Sequence, residues 1–287
     1  MDMSALPLSE SREAEIKRKL GGRLTAPDIL RRKQSEPLVM LTAYSARMAE
    51  ILDPHCDLLL VGDSLAQVIY GLPTTLPVSL ETMAAHGAAV VRGSKRALVV
   101  IDMPFRTYEE GPEQAFRNAS WLLQETGAGA VKLEGGVALA GTVAFLKARG
   151  IPVMGHVGLT PQSVHTLGGY RVQGRDNENF SQILQDAQAL DQAGAFAIVV
   201  EAVVEALARS ITQSVECPTI GIGASPACDG QVLVVDDMLG MTEQVARFVK
   251  RYENLSGRID AAVAEYSASV RSRTFPEAAN LYQNGVV

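Results

Sequence analysis

The sequence predicts a (β/α)8 TIM barrel in a single catalytic domain, and three observations predict it. Eight short apolar runs of β-forming residues recur along the chain with helical stretches between them. Five of the runs end on a residue able to do chemistry: LLLVGD on Asp63, ALVVID on Asp102, AVKLE on Glu134, IPVMGH on His156 and FAIVVE on Glu201. The length of 287 residues, 47% apolar, suits one barrel and is enough to bury its core. Runs this short and apolar read as parallel strands buried on both faces, and helices supply the crossovers that parallel neighbours need. A doubly wound open sheet is the alternative, and it too places ligands at the carboxyl ends of its strands.

Taken in order, residues 1–25 read as a polar N-terminal extension, with the barrel and its C-terminal helices at 26–287. A helix is expected around 26–34, capped by Thr25 or Asp28, where it can close the bottom of the barrel. The first strand is PLVMLTAY (37–44) and the second ends on Asp63. In the segment 66–93 that follows, Pro73 and Pro77 interrupt regular structure, and a helix starts at Ser79 with Thr82 in place of the acid of a capping box. After the fifth strand, 156–180 carries four glycines and little periodicity, the mark of a functional segment such as a lid. CPTIGIG (217–223) and QVLVV (231–235) complete the strands, with Asp229 and Gly230 read as a tight turn between them. Beyond residue 240 the pattern is amphipathic and helical, as in VARFVKRY and IDAAVAEYSASV.

Composition narrows the function. No apolar stretch reaches the ~18 residues that span a bilayer, and Asp2, Glu10, Glu13 and Glu15 speak against a targeting peptide, so a cytoplasmic protein with no membrane partner is expected. Cys56, Cys217 and Cys228 cannot all pair within one chain and lack metal-type spacing, so they read as structural thiols. A net charge of −6 gives no reason to expect nucleic acid, and the basic clusters at 17–19 and 31–33 read as solvated helix faces.

The strand ends carry the chemistry. Side chains alternate along a strand, so Lys132 and Glu134 share a face and would both point into a barrel. Several buried acids beside one lysine need a counter-ion. Asp63, Asp102 and Glu134 are oxygen donors from three strands, a set suited to magnesium, whereas zinc prefers histidine or cysteine. A lone Asp in such a place also serves as a helix N-cap, and His156 also reads as a hydrogen-bonded core histidine. Glu201, after four apolar residues, reads as a poorly solvated acid suited to proton transfer, or else as a buried partner of Lys132. The glycines of GIGASPACDGQ (221–231) lie where barrels often bind phosphate, although GxG alone is a weak signal.

From about residue 25 to 276 the chain resembles the ketopantoate hydroxymethyltransferase family. The resemblance rests on MLTAY (40–44), LVGDSL (60–65), TLPV (75–78), DMPF (102–105), VKLEGG (131–136), GHVGLTPQS (155–163), GGYRVQGR (168–175), VVE (199–201), GIGA (221–224) and CDGQVLV (228–234), all in order. It implies a barrel related to the phosphoenolpyruvate-utilising and isocitrate-lyase enzymes, assembled as a homo-oligomer, usually a decamer. It also implies transfer of a hydroxymethyl group from 5,10-methylenetetrahydrofolate to the oxo acid 3-methyl-2-oxobutanoate in pantothenate biosynthesis. Asp63 and Asp102 match the family's Mg2+ ligands, with Glu134 as a third, water-mediated or direct; Asp63, Ser64, Asp102 and Lys132 match its oxo-acid contacts. Glu201 matches its proton acceptor, and His156 an active-site histidine counted with the substrate contacts. The chain departs from the family pattern at Ser45 for an aspartate, Ser225 for a glycine, and Leu72 and Asn280 for histidines. Ser225 puts a side chain where a glycine allows close backbone approach, which bears on any folate contact there. A folate-independent lyase of the same superfamily would share the metal and the enolate, and folate dependence separates the two. A non-catalytic scaffold would not be expected to keep all four acids.

Overall fold

A computed structural model describes residues 22–282, so the extension up to residue 21, with the basic cluster at 17–19, lies outside the described residues. Eight parallel strands close a barrel in chain order: β1 (Leu38–Thr42), β2 (Leu58–Val61), β3 (Leu98–Asp102), β4 (Ala130–Glu134), β5 (Val153–Gly158), β6 (Ala197–Glu201), β7 (Thr219–Ile222) and β8 (Gly230–Leu233). β8 pairs with β1 from Leu38↔Gly230 to Leu41↔Leu233, which excludes the open sheet. Two strand ends differ from the sequence reading. β2 stops at Val61, so Asp63 lies just beyond it, and β5 runs past His156 to Gly158. Gly158 has φ 95°, and a Cβ there would stand 2.3 Å from the Glu201 carbonyl oxygen, so the close approach of β5 and β6 needs glycine.

The first six crossovers carry α2 (Ala46–Leu52), α3 (Leu65–Val68) with α4 (Leu80–Gly93), α5 (Pro112–Thr126), α6 (Ala140–Lys147), α7 (Val164–Leu167) with α8 (Asn177–Ala193), and α9 (Glu205–Ser214). The seventh, residues 223–229, joins β7 to β8 without a helix. α1 (Ala26–Leu30) precedes the barrel and ends sooner than the sequence suggests. Both expected caps are used there: Asp28 accepts from the N–H of Thr25 at 3.0 Å and from its hydroxyl at 2.8 Å. Ser79 accepts from the N–H of Thr82 at 3.2 Å and starts α4 as expected. Ser45 accepts from the N–H of Met48 at 3.3 Å and caps α2, a task that serine and aspartate perform about equally well.

Strand alternation sorts the interior into layers. Ala26 and Ile29 of α1 plug the bottom against a core that includes Leu38, Leu58, Leu98, Phe196 and Val232. Higher in that core lie Val100, Ala130, Met154 and Val199. Two residues further along those strands, on the same face, stand Asp102, Lys132, His156 and Glu201, so the inward column turns from apolar to ionisable at the carboxyl end.

The cluster at 31–33 is more than a solvated face. Arg31 pairs with Asp28 at 2.6 Å, Arg32 with Glu36 at 3.2 Å, and Lys33 with Asp229 at 2.9 Å. Asp229 is accordingly no simple turn residue: its carboxylate also accepts from the N–H groups of Gln34 and Thr219 at 3.0 and 2.9 Å.

The chain forms two compact units, one up to Val234 and one from Val235. The first contains the barrel. The second contains α10 (Val235–Met238) and α11 (Leu255–Arg271). No residue of α11 is buried, and Ile259, Val263, Tyr266 and Val270, spaced to share one helix face, are exposed. Among the described residues no helix is long and apolar enough to cross a membrane.

Candidate active site

Six of the seven residues singled out in the sequence meet in one connected cluster. The N–H of Asp63 donates to Asp102 Oδ2 at 3.0 Å, which ties the turn after β2 to the end of β3. Asp102 and Lys132 are register partners, and Oδ1 of the one faces Nζ of the other at 2.9 Å. Lys132 Nζ also lies 3.1 Å from His156 Nδ1. Glu134 and His156 are partners across β4 and β5, with Oε1 and Nδ1 3.5 Å apart. His156 Nε2 reaches Glu201 Oε2 at 3.3 Å. The imidazole thus stands between two acids and is no mere core histidine, and Lys132 serves Asp102 rather than Glu201. Ser64 stands beside the cluster, its hydroxyl 2.9 Å from that of Tyr44.

Glu201 corrects one expectation. Its side chain keeps 17% of its exposure, against 3–4% for Asp102, Lys132, Glu134 and His156. The apolar residues before it alternate between the barrel interior and the helix layer, so they do not enclose its carboxylate.

Charges this crowded shift one another. Burial, reinforced by Asp102 and Glu134, pushes Asp63 up to about 7. Burial also raises Asp102, against the pull of Lys132. Burial opposes charge on Lys132, yet Asp102, Glu134 and Asp63 hold its pKa above the ordinary lysine value. Burial would raise Glu134 as well, but His156, Lys132 and the Gln162 N–H bring it below the ordinary range. For His156, burial and Lys132 work against the proton, and Glu134 and Glu201 overcome them to raise it to about 9.

The pattern is that of a site short of positive charge. Burial and the neighbouring acids push the Asp63 carboxyl up, and Glu134 Oε1 is buried with no hydrogen-bond partner. Hard oxygen donors in that condition fit a magnesium ion. Among the described residues no three His, Cys, Asp or Glu side chains gather closely enough to form a metal cage by themselves.

Sequence reasoning missed Gln162 and Tyr108, both buried against the acids. Gln162 Nε2 donates to Asp63 Oδ2 at 2.9 Å, its N–H donates to Glu134 Oε2 at 3.0 Å, and the Tyr108 hydroxyl donates to its Oε1 at 2.6 Å. The segment 156–180 also has more structure than expected: a 310 turn at Pro161–Ser163 and α7 fix its first half, while most of 165–176 is exposed. Tyr170, in that exposed part, has its phenol raised by partial burial and by the Asp63 charge. Ser225 does not need glycine, since it lies outside the residues with positive φ. Its hydroxyl donates to Glu205 at 2.8 Å and accepts from the Ala227 N–H at 3.0 Å, holding the loop after β7.

Comparison with known proteins follows the same lines. Residues 23–278 match the family described as ketopantoate hydroxymethyltransferase. A 3-methyl-2-oxobutanoate hydroxymethyltransferase of Novosphingobium aromaticivorans is 64% identical over 265 residues, 91% of this chain and 92% of that protein. One from Sphingopyxis alaskensis is 63% identical over 260 residues, 91% of each chain. Among solved structures, 2,3-dimethylmalate lyase, a PEP mutase/isocitrate lyase superfamily member, superposes with a TM-score of 0.54 at 18% identity, covering 92% of both chains. Phosphonopyruvate hydrolase in complex with oxalate and Mg++ gives 0.55 at 15% identity, covering 91% of this chain and 93% of its own. At that distance the structures share the fold alone.

Proposed function

Because the chain belongs to the ketopantoate hydroxymethyltransferase family, whose members are transferases, we propose that it moves a hydroxymethyl group from 5,10-methylenetetrahydrofolate to 3-methyl-2-oxobutanoate in pantothenate biosynthesis. The observation that carries the reading is the division of labour in the cluster. Asp63 and Asp102 sit together on one side, and Glu201 stands on the other, separated from them by Lys132 and His156.

Asp63 and Asp102 would hold Mg2+, with Glu134 joining directly or through water. The ion supplies Lewis-acid charge for the keto and carboxylate oxygens of the oxo acid. Lys132, kept charged by its acidic neighbours, adds positive potential where the enolate oxygen develops. Glu201 takes the proton from C3, and His156 beside it bears the charge change. The enolate carbon then bonds to the methylene carbon of the folate as one carbon–nitrogen bond breaks, and a water molecule supplies the hydroxyl oxygen as the second breaks; the C3 proton and one water proton end on the two folate nitrogens, giving ketopantoate and tetrahydrofolate. Ser64 and His156 contact the oxo acid, and Tyr170 with 165–176 closes over it.

The exposed apolar face of α11 supports the further reading that the chain is a homo-oligomer, by resemblance a decamer. Three buried free thiols suit a cytoplasmic setting.

A coupled assay for ketopantoate, run with and without 5,10-methylenetetrahydrofolate, tests the function. Product is expected only with the folate. Carbon–carbon cleavage or synthesis without it would replace this reading with that of a lyase. Excess chelator should abolish turnover and added Mg2+ restore it.

A further inference from the structure

Gln162 belongs to the cluster by contact, yet the chemistry above gives it no task. It lies in the 310 turn after β5 and is 7% exposed. Besides its bond to Asp63, Nε2 donates to the Met103 carbonyl at 3.0 Å. The amide can face only one way. Turned over, its carbonyl oxygen would meet the Met103 carbonyl, which has no proton to give, and an Asp63 carboxylate that is ionised when it holds a cation. Tyr108 enforces that orientation from the other side, and its hydroxyl also accepts from the Glu134 N–H at 3.3 Å. One residue therefore grips Asp63 across 99 positions of sequence and Glu134 across 28. It occupies Oδ2 of the first and Oε2 of the second and leaves Glu134 Oε1 without a hydrogen bond, 3.5 Å from His156 Nδ1.

We infer that Gln162 is a positioning residue that presets the Asp63 and Glu134 carboxylates for a divalent cation, an inference that rests on the cation reading of those acids given above. A buried carboxylate without such a grip turns about its terminal torsion and spends part of its time with the wrong oxygen forward. Groups that orient metal ligands are typically worth about 10–100-fold in metal affinity or activity.

The test is calorimetric titration of Mg2+ alone into the purified full-length protein. Gln162→Met keeps the length and bulk and removes the donors. It should bind Mg2+ about 10–100-fold more weakly and raise the Mg2+ concentration for half-maximal activity by a similar factor, with kcat at saturating Mg2+ within a few-fold of wild type. Tyr108→Phe, which frees the amide to turn, should shift affinity the same way by less, and it decides the matter if Gln162→Met does not fold. Unaltered Mg2+ affinity in a folded Gln162→Met, or in Tyr108→Phe when that variant must decide, overturns this inference alone. A wild-type chain that takes up no Mg2+ overturns the cation reading of the acids and this inference with it.

Discussion

Among the described residues Glu201 is linked to the other acids of the cluster through His156, and this separation lets its role be tested apart from the cation. Glu201→Gln should keep the fold and Mg2+ binding but lose the folate-independent exchange of the C3 proton for deuterium, by about 10²–10⁴-fold, as followed by NMR. Exchange at the wild-type rate would move the role to His156. Asp63→Asn and Asp102→Asn should instead lose activity by weakening Mg2+ binding, which calorimetry reads directly. Protonation gives a further expectation. Asp63, raised from 3.8 to about 7, favours the folded state only while it holds its proton, so the metal-free protein loses stability as pH climbs through that interval. His156, raised from 6.5 to about 9, contributes stability that is complete below 6.5 and gone above about 9. The two losses have the same sign. The melting temperature in chelator should therefore fall between pH 6 and 9, and Mg2+, which competes with the proton on Asp63, should stabilise more at pH 8 than at pH 6. A Mg2+ effect independent of pH would contradict this assignment. At this scale the charged residues were legible because an acid or a lysine closing an apolar run has few other reasons to be there. Gln162 and Tyr108 were not: they are neutral, and what marks them is the company they keep in space.

The elements were legible wherever local chemistry decides them. Ser79 and Thr25 start helices as capping residues should, and the eight apolar runs became eight strands. Ser45 shows the same rule in a position read first as a family departure; Ser45→Ala should cost about 1 kcal/mol of stability in chemical denaturation, with little effect on kcat. What escaped were features set by tertiary contact. The crossover 223–229 has no helix because its residues are committed elsewhere, with Ser225 bonded to Glu205 and Asp229 to Lys33. Half of the segment after β5 is fixed because Gln162 is sunk among the acids. Closure over the substrate therefore falls to 165–176, whose amides should gain hydrogen-exchange protection when oxo acid and Mg2+ bind. Protection unchanged there, with binding demonstrated, would sink the lid. Ala202, directly after Glu201, has φ 46°, and its N–H and carbonyl bond to Ile222 and Gln173. Those two bonds hold it in the left-handed region that favours glycine.

At the scale of the whole molecule, the barrel and the gathering of ionisable residues at its carboxyl end were both readable because a parallel barrel repeats one simple pattern. Assembly is less legible, since an exposed apolar stripe carries no mark of the surface it would meet. If copies of this chain cover the α11 stripe, Val263→Lys with Tyr266→Glu should lower the mass measured by light scattering. An unchanged mass would place the contact elsewhere.

The bond between the first strand and the last reaches beyond the finished barrel. Leu38 pairs with Gly230, and Lys33 locks onto Asp229 beside them, so the seam joins parts of the chain made far apart in time. Until Asp229 and β8 leave the ribosome, β1 has no last strand to pair with along that edge. Bare edges invite pairing with other chains. A product of translation halted near residue 216 would carry every strand acid named above and still lack β7 and β8, leaving two unpaired edges and a strong tendency to aggregate.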